Sequence, residues 1–126
     1  MPKEIHEAPS GPKPLGPYSV VTEARGLVFI SGMIAIDPDT GERIAGGVAP
    51  QAEQVMRNIG AVLGDVGLGY DDIVKTTIFV TDMHDFAIVN DVYGRYVGDA
   101  KPARSTVEVS GLPGGFVVEI ETIAAR

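Results

Sequence analysis

The chain alternates between short apolar runs and turns rich in glycine and proline, a pattern typical of a protein that mixes strands and helices. Residues 27–30 and 73–80 are rich in β-branched and aromatic residues, which favours strands. Between them, over residues 49–66, apolar positions recur at the spacing of a single helix face. This stretch therefore predicts an amphipathic helix that covers one side of a sheet.

The remaining apolar runs complete the predicted sheet. A second helical stripe starts after Asp82 or Asp85, either of which can cap it, and ends near Tyr96. Further strands are expected at residues 18–22, 33–36, 104–109 and 116–124. The strand at 33–36 continues the one at 27–30 after an interruption at Ser31-Gly32. The order β-β-α-β-α-β-β predicts an α+β fold, with two helices packed on one face of a mixed sheet.

Length and charge narrow the class of protein. A chain of 126 residues with 44% hydrophobic residues forms one domain, residues 1–126, with a single core. Residues 1–17 are rich in proline and glycine, and we expect an irregular N-terminal arm there. The formal net charge of −7 argues against nucleic acid or a membrane surface as a partner.

The residue types that are absent exclude several chemistries. With no cysteine, the chain has no disulfide, thiolate metal site or cysteine nucleophile. His6 and His84 lack the spacing of metal ligands, so no metal is expected. Neither a signal-peptide pattern nor an apolar run of membrane-spanning length is present, which favours a soluble, cytoplasmic protein.

Candidate chemistry lies in the last two strands, which residues 110–115 join with turn-forming residues. In a simple antiparallel hairpin, Thr106 lies opposite Glu119 and Arg104 lies opposite Glu121, so that all four share one face. Arg104 and Glu119 then form a site for a small carboxylic acid, or alternatively a plain cross-strand ion pair. A register shift of one residue places the two groups on opposite faces.

Several motifs, taken in order, resemble the RidA family of enamine and imine deaminases, also called YjgF. The match is collinear across nearly the whole chain. The motifs are Gly16-Pro-Tyr-Ser19, Ile30-Ser-Gly32, Gln51-Ala52 with Asn58, residues 72–82, Phe86-Ala87 with Val89-Asn90, residues 102–109, Leu112-Pro113 and Glu119-Ile-Glu121.

This resemblance implies a chorismate-mutase-like fold and a homotrimer with clefts between neighbouring subunits. It also implies hydrolysis of reactive 2-imino or enamine acids, of the 2-iminobutanoate and 2-iminopropanoate type, to 2-keto acids and ammonia. Such an activity limits damage by reactive metabolites, and the family requires no metal or cofactor. The implied partner is therefore a small 2-imino or 2-keto acid.

Two residues match the family's catalytic positions. Arg104 matches the arginine that holds the substrate carboxylate, a role that suits a permanently charged guanidinium with parallel donors. Glu119 matches the carboxylate that positions the attacking water. Partial desolvation raises the pKa of a glutamate, which suits general acid–base work.

Five further residues match positions that bind the substrate: Tyr18, Ser31, Gly32, Asn90 and Thr106. Three of them also have a structural interpretation that the sequence leaves open. Tyr18 is otherwise an aromatic residue at the edge of the core, Ser31 ends a strand, and Asn90 holds a loop by bonding to the backbone. Thr106 stands where many members have cysteine, so only its backbone matches the family role.

One departure from the family bears on the substrate. Lys101 stands where many deaminases have an aromatic residue, and the loop of residues 98–101 looks shorter than usual. Both differences reshape the wall of the expected cleft. An added lysine favours a more acidic substrate if it faces the cleft rather than solvent.

Other functions share the same residues. A small-carboxylate-binding regulatory trimer needs Arg104 but not Glu119. A catabolic deaminase acting on an aminomuconate-type enamine is the nearest alternative among enzymes. A ribonuclease or chaperone-like role, attributed to some relatives, fits the net charge of −7 least well.

Overall fold

The computed structural model describes residues 2–126 and contains one mixed sheet of six strands in the order β1-β2-β3-β6-β4-β5. Every neighbouring pair is antiparallel except β4 and β5, which are parallel. Two helices pack on one face of the sheet, as the sequence predicts. The strands are β1 Glu4–His6, β2 Val21–Ala24, β3 Leu27–Met33, β4 Ile73–Val80, β5 Ala103–Glu108 and β6 Val118–Ala125, and the helices are α1 Val48–Asp65 and α2 Phe86–Val97.

Helix α1 buries the predicted apolar stripe against β3, β6 and α2. Its side chains at the stripe positions are almost inaccessible, and they form the centre of the core with the inward residues of the sheet. The helix ends where Gly67 adopts a φ of 78°, and the next amide, that of Leu68, donates to the carbonyl of Leu63. A glycine there is the usual residue for a left-handed helix end. Neither helix of residues 2–126 is long and apolar enough to cross a bilayer.

Helix α2 is the crossover between the parallel strands β4 and β5. Parallel neighbours require such a crossover, which lays the helix over the pair that it connects. The aspartate at 82 caps a single 3₁₀ turn, because its side chain accepts from the amide of His84, and α2 itself begins at Phe86. Strand β5 lies at the edge of the sheet, directly beside β4.

Three predictions for the first 36 residues are wrong. The N-terminal arm is not wholly irregular, because β1 pairs with β2. The strand expected from residue 18 begins only at Val21, since prolines and a turn precede it. The strand of residues 27–30 runs on through Ser31 to Met33 with a bulge, and residues 34–36 leave the sheet.

The predicted hairpin between the last two strands is also wrong, because β4 lies between β5 and β6. Phe79 of β4 is paired with both Val107 and Glu119, so Glu119 is level with Val107 and not with Thr106. The alignment is thus shifted by one residue from the predicted one. Since side chains alternate along a strand, Arg104 faces the helices and Glu119 faces away from them.

Candidate active site

A cluster around Arg104 forms the first half of the candidate site. Its Nη2 donates to Oδ1 of Asn90 at 2.6 Å. The guanidinium carbon lies 5.5 Å from the ring centroid of Phe86 and 5.1 Å from that of Tyr93. Both distances are within the range of cation–π attraction. The three α2 side chains therefore hold the guanidinium between one amide oxygen and two aromatic rings.

The spacing of these residues follows from the helix. Phe86, Asn90 and Tyr93 are separated by four and three positions, which places them on one face of α2. Tyr93 is fixed in turn by a 2.7 Å hydrogen bond between its hydroxyl and Oγ1 of Thr76. Burial raises the pKa of Tyr93 above its usual value, although the bond to Thr76 and the charge of Arg104 oppose this shift. The tyrosine therefore stays neutral over the physiological range.

A groove of about 360 Å³ opens beside this cluster, and its walls include Asn90, Tyr93, Lys101, Pro102 and Arg104. That volume is enough for a small organic acid. Thr106 lies two residues further along β5 on the same face as the arginine. Its Oγ1 is buried and has no hydrogen-bond partner within residues 2–126. The groove thus contains a restrained cation and has a buried hydroxyl near it.

Glu119 forms the second half of the site on the opposite face of the sheet. Its carboxylate lies over Gly32, where a Cβ atom would come within 2.2 Å of Oε2. Only a glycine permits this close approach. Desolvation by burial, and secondarily repulsion from Glu121, raises the pKa of Glu119. A proton is therefore held more readily here than on an ordinary surface glutamate.

Ser31 and Tyr18 lie on the same side of the molecule as Glu119. The Ser31 hydroxyl donates to the carbonyl of Ser19 at 2.7 Å, which fixes the bulged part of β3. Tyr18 is 47% exposed and its hydroxyl accepts from the amide of Leu15 at 3.1 Å. Tyr18 and Gly32 line one narrow cleft. Ser31 does not end its strand, and Tyr18 is not a core residue.

Within one chain, the predicted site residues fall into two groups that do not meet. Arg104, Asn90 and Thr106 lie on the helix side, whereas Glu119, Gly32, Ser31 and Tyr18 lie towards the exposed side. Phe86 and Tyr93 lie within the second predicted helical stripe, and the sequence indicated no role for either of them beside Arg104. Their spacing from Asn90 on the helix was the available signal.

Among residues 2–126, one other cluster offers several metal-binding atoms: Glu4, His6 and Glu23 have ligand atoms within 4.8 Å of one another. Glu23 already accepts hydrogen bonds from Arg126 at 2.9 and 3.1 Å and lies 2.8 Å from the His6 ring. The hydrogen bond from Arg126, followed by that from His6, lowers the pKa of Glu23. We interpret the cluster as an ion-pair network that ties β1 to β2 and the C-terminus.

The fold and the two groups of residues together define the class of protein. Helices cover one face of its mixed sheet, an arginine that a helix restrains lies at one edge of the sheet, and a partly desolvated carboxylate lies on the exposed face. Comparison with known proteins shows the family to which this fold belongs. The family model described as Endoribonuclease L-PSP matches residues 8–126. A RutC family protein of Pyrococcus horikoshii is 47% identical over 98% of both chains.

Two further relatives carry more specific descriptions. A 2-iminobutanoate/2-iminopropanoate deaminase of Bos taurus is 39% identical, over 98% of this chain and 90% of that protein. A crystal structure of E. coli TdcF with bound serine superimposes with a TM-score of 0.91 at 39% identity, covering 98% of each chain. The chain therefore belongs to the RidA/YjgF family.

Proposed function

We propose that this protein is a deaminase that hydrolyses reactive 2-imino and enamine acids to 2-keto acids and ammonia. The observation that carries the proposal is the restrained, solvent-accessible guanidinium of Arg104, which has no carboxylate partner within 4.0 Å among residues 2–126. Its neutral partner Asn90 leaves donors for an incoming carboxylate. Relatives named as imine deaminases support the same chemistry.

The proposed reaction needs only substrate and water. Arg104 binds the substrate carboxylate and so fixes the adjacent C=N carbon. Glu119 accepts a proton from water as the water oxygen bonds to that carbon, and the proton then passes to the nitrogen. The product of this step is a carbinolamine. Its hydroxyl gives a proton through Glu119 to the same nitrogen as the C–N bond breaks, and the products are a 2-keto acid and ammonia. A glutamate with a raised pKa suits these proton transfers, because its pKa is closer to the working pH. On this mechanism no metal or cofactor takes part.

We also propose that the active site is shared between subunits of a homotrimer. Arg104 and Glu119 face opposite sides of one sheet, so a single chain does not bring them to one substrate. The exposed sheet face carries several accessible apolar side chains, including Leu27, Phe29 and Val107, each 40% exposed. A patch of this kind is typical of a protein interface. In the assembly, Arg104 of one subunit faces Glu119 of the partner subunit.

A coupled assay tests the activity directly. A dehydratase that releases 2-iminobutanoate is combined with the protein, and formation of the keto acid is followed. We expect Arg104→Ala to abolish the acceleration while circular dichroism and the melting temperature stay near those of the wild type. Wild-type turnover by a folded Arg104→Ala variant would contradict the proposal.

One competing function is supported by a specific observation. The crystal structure of E. coli TdcF contains bound serine, so that relative holds an amino acid. A regulatory protein that binds small carboxylates without turnover would use Arg104 but not Glu119. Glu119→Gln separates the two functions. Lost turnover with retained 2-oxobutanoate binding supports the deaminase, and binding by the wild type without any turnover supports the regulator.

A further inference from the structure

The groove beside Arg104 contains a second cation that the proposed reaction does not use. Lys101 lines the groove together with Arg104, and only two residues separate them in sequence. Three residues of extended chain span at most about 10 Å between the two Cα atoms. The lysine side chain is long and flexible enough to shorten the distance between the two charges further.

The charged side chains that line this groove are both positive. Its walls are otherwise neutral, and no aspartate or glutamate of residues 2–126 lines it. Neither Lys101 nor Arg104 has a carboxylate within 4.0 Å in that part of the chain. The chain as a whole carries a formal net charge of −7. A dianion gains nothing from the long-range field of such a protein and must be attracted locally.

The backbone fixes where the lysine starts. Lys101 has a φ of 42°, in the left-handed region that residues with a side chain rarely adopt. The following Pro102 lines the same groove and has a restricted φ of its own. The Cα–Cβ direction of Lys101 is therefore set by the turn that leads into β5, even though the end of the side chain moves.

We propose that Lys101 is a specificity-determining residue that binds the second carboxylate of a 2-imino diacid while Arg104 binds the first. This inference rests on the proposed function and names the substrate class of that site. A groove of about 360 Å³ accommodates a five-carbon diacid such as 2-iminoglutarate. Monocarboxylic imines bind the same arginine but leave the lysine without an anion.

The test compares diacid with monoacid in wild type, Lys101→Met and Lys101→Arg. We measure kcat/KM for 2-iminoglutarate and 2-iminobutanoate, each generated by an amino-acid oxidase, and the Kd values of 2-oxoglutarate and 2-oxobutanoate by calorimetry. Loss of one charge-assisted contact lowers the diacid-to-monoacid ratio about tenfold in Lys101→Met. We expect Lys101→Arg to retain most of the preference. Lys3→Met, which removes an exposed charge away from the groove, leaves the ratio unchanged.

The outcomes separate this inference from the proposed function. Turnover of both imines, with a ratio that Lys101→Met does not change, overturns the role of Lys101 and leaves the deaminase standing. If neither imine is hydrolysed, the proposed function fails, and the Kd values of 2-oxoglutarate and 2-oxobutanoate alone then decide the role of Lys101. A fall in 2-oxoglutarate affinity relative to 2-oxobutanoate supports it, and an unchanged affinity ratio overturns it.

Discussion

Gly32→Ala is predicted to impair catalysis with little effect on the fold. The new Cβ would lie 2.2 Å from Oε2 and 2.8 Å from Cδ of Glu119. Ordinary van der Waals contact begins at 3.4 Å, so the carboxylate must retreat by about 1.2 Å, the difference between 3.4 and 2.2 Å. The obstructing atoms belong to the end of a flexible side chain, and the cost of moving them is about 1 kcal/mol, as for a strained rotamer.

A shift of this size matters far more to the reaction than to stability. Misplacing a catalytic group by about 1 Å can cost on the order of 100-fold in rate. We expect kcat for 2-iminobutanoate to fall about 10- to 100-fold, because Glu119 no longer positions water. The KM should change less, since Arg104, which binds the substrate carboxylate, keeps its contacts.

The assay is steady-state kinetics with thermal unfolding of the same samples. Gly64→Ala is the matched control, because a Cβ there would meet no neighbouring atom of residues 2–126 within 4 Å. It lies inside α1, where alanine stabilises a helix by about 1 kcal/mol relative to glycine. Wild-type kcat in a folded Gly32→Ala protein would refute the placement of Glu119 in the catalytic step.

Three further predictions concern the other contacts of the site. Asn90→Ala removes the side-chain oxygen that accepts a 2.6 Å hydrogen bond from Arg104. The change should raise KM about tenfold with a smaller change in kcat, and an unchanged KM would show that the hydrogen bond is not needed for substrate binding. Tyr93→Phe should lower the free energy of unfolding by about 1–2 kcal/mol in urea titrations, because the buried Thr76 hydroxyl loses its partner, and equal stability would contradict that role. Glu119→Gln should stabilise the folded chain at neutral pH but not at low pH. Burial raises the pKa of Glu119 in the folded state, so the wild type loses stability as the pH rises from the ordinary pKa of a glutamate through this raised value, whereas the glutamine variant does not. A difference in the free energy of unfolding that stays constant with pH would argue against this account.

Local patterns in the sequence were sufficient to predict most of the helices and strands. Strand β4 has its predicted bounds, and α1 begins and ends one residue before its predicted limits. Both elements have strong periodicity and clear flanking turns. The predicted boundaries near residues 18–22 and 33–36 were less accurate because the short apolar runs there adjoin prolines and a bulge. The family resemblance, carried by several collinear motifs, is confirmed.

The pairing of the last two strands could not be predicted locally. In both arrangements β6 runs antiparallel to β5, and turn chemistry at residues 110–115 fits either one. With β4 between them, the connection crosses two strand spacings, about 10 Å, which nine residues span easily. The intervening strand shifts the alignment by one residue, and this shift alone moves Glu119 to the other face.

The aromatic contacts of Arg104 depend on the same non-local arrangement. Phe86 and Tyr93 have the spacing of an ordinary buried helix face, and the sequence favours that interpretation. Only the placement of edge strand β5 beneath α2 puts a guanidinium against their rings. The site therefore combines a helix pattern that is readable in sequence with a strand order that is not.

The shared active site is tested most directly by mixing two inactive variants. Arg104→Ala and Glu119→Gln proteins are purified separately, partly unfolded together, refolded as mixed oligomers and assayed with 2-iminobutanoate. If each site takes Arg104 from one subunit and Glu119 from the partner subunit, random mixing restores about a quarter of the sites. We therefore predict recovery of about a quarter of wild-type activity in the mixture and none in either variant refolded alone. No recovery in mixed oligomers whose composition is verified by mass spectrometry would contradict a site shared between subunits.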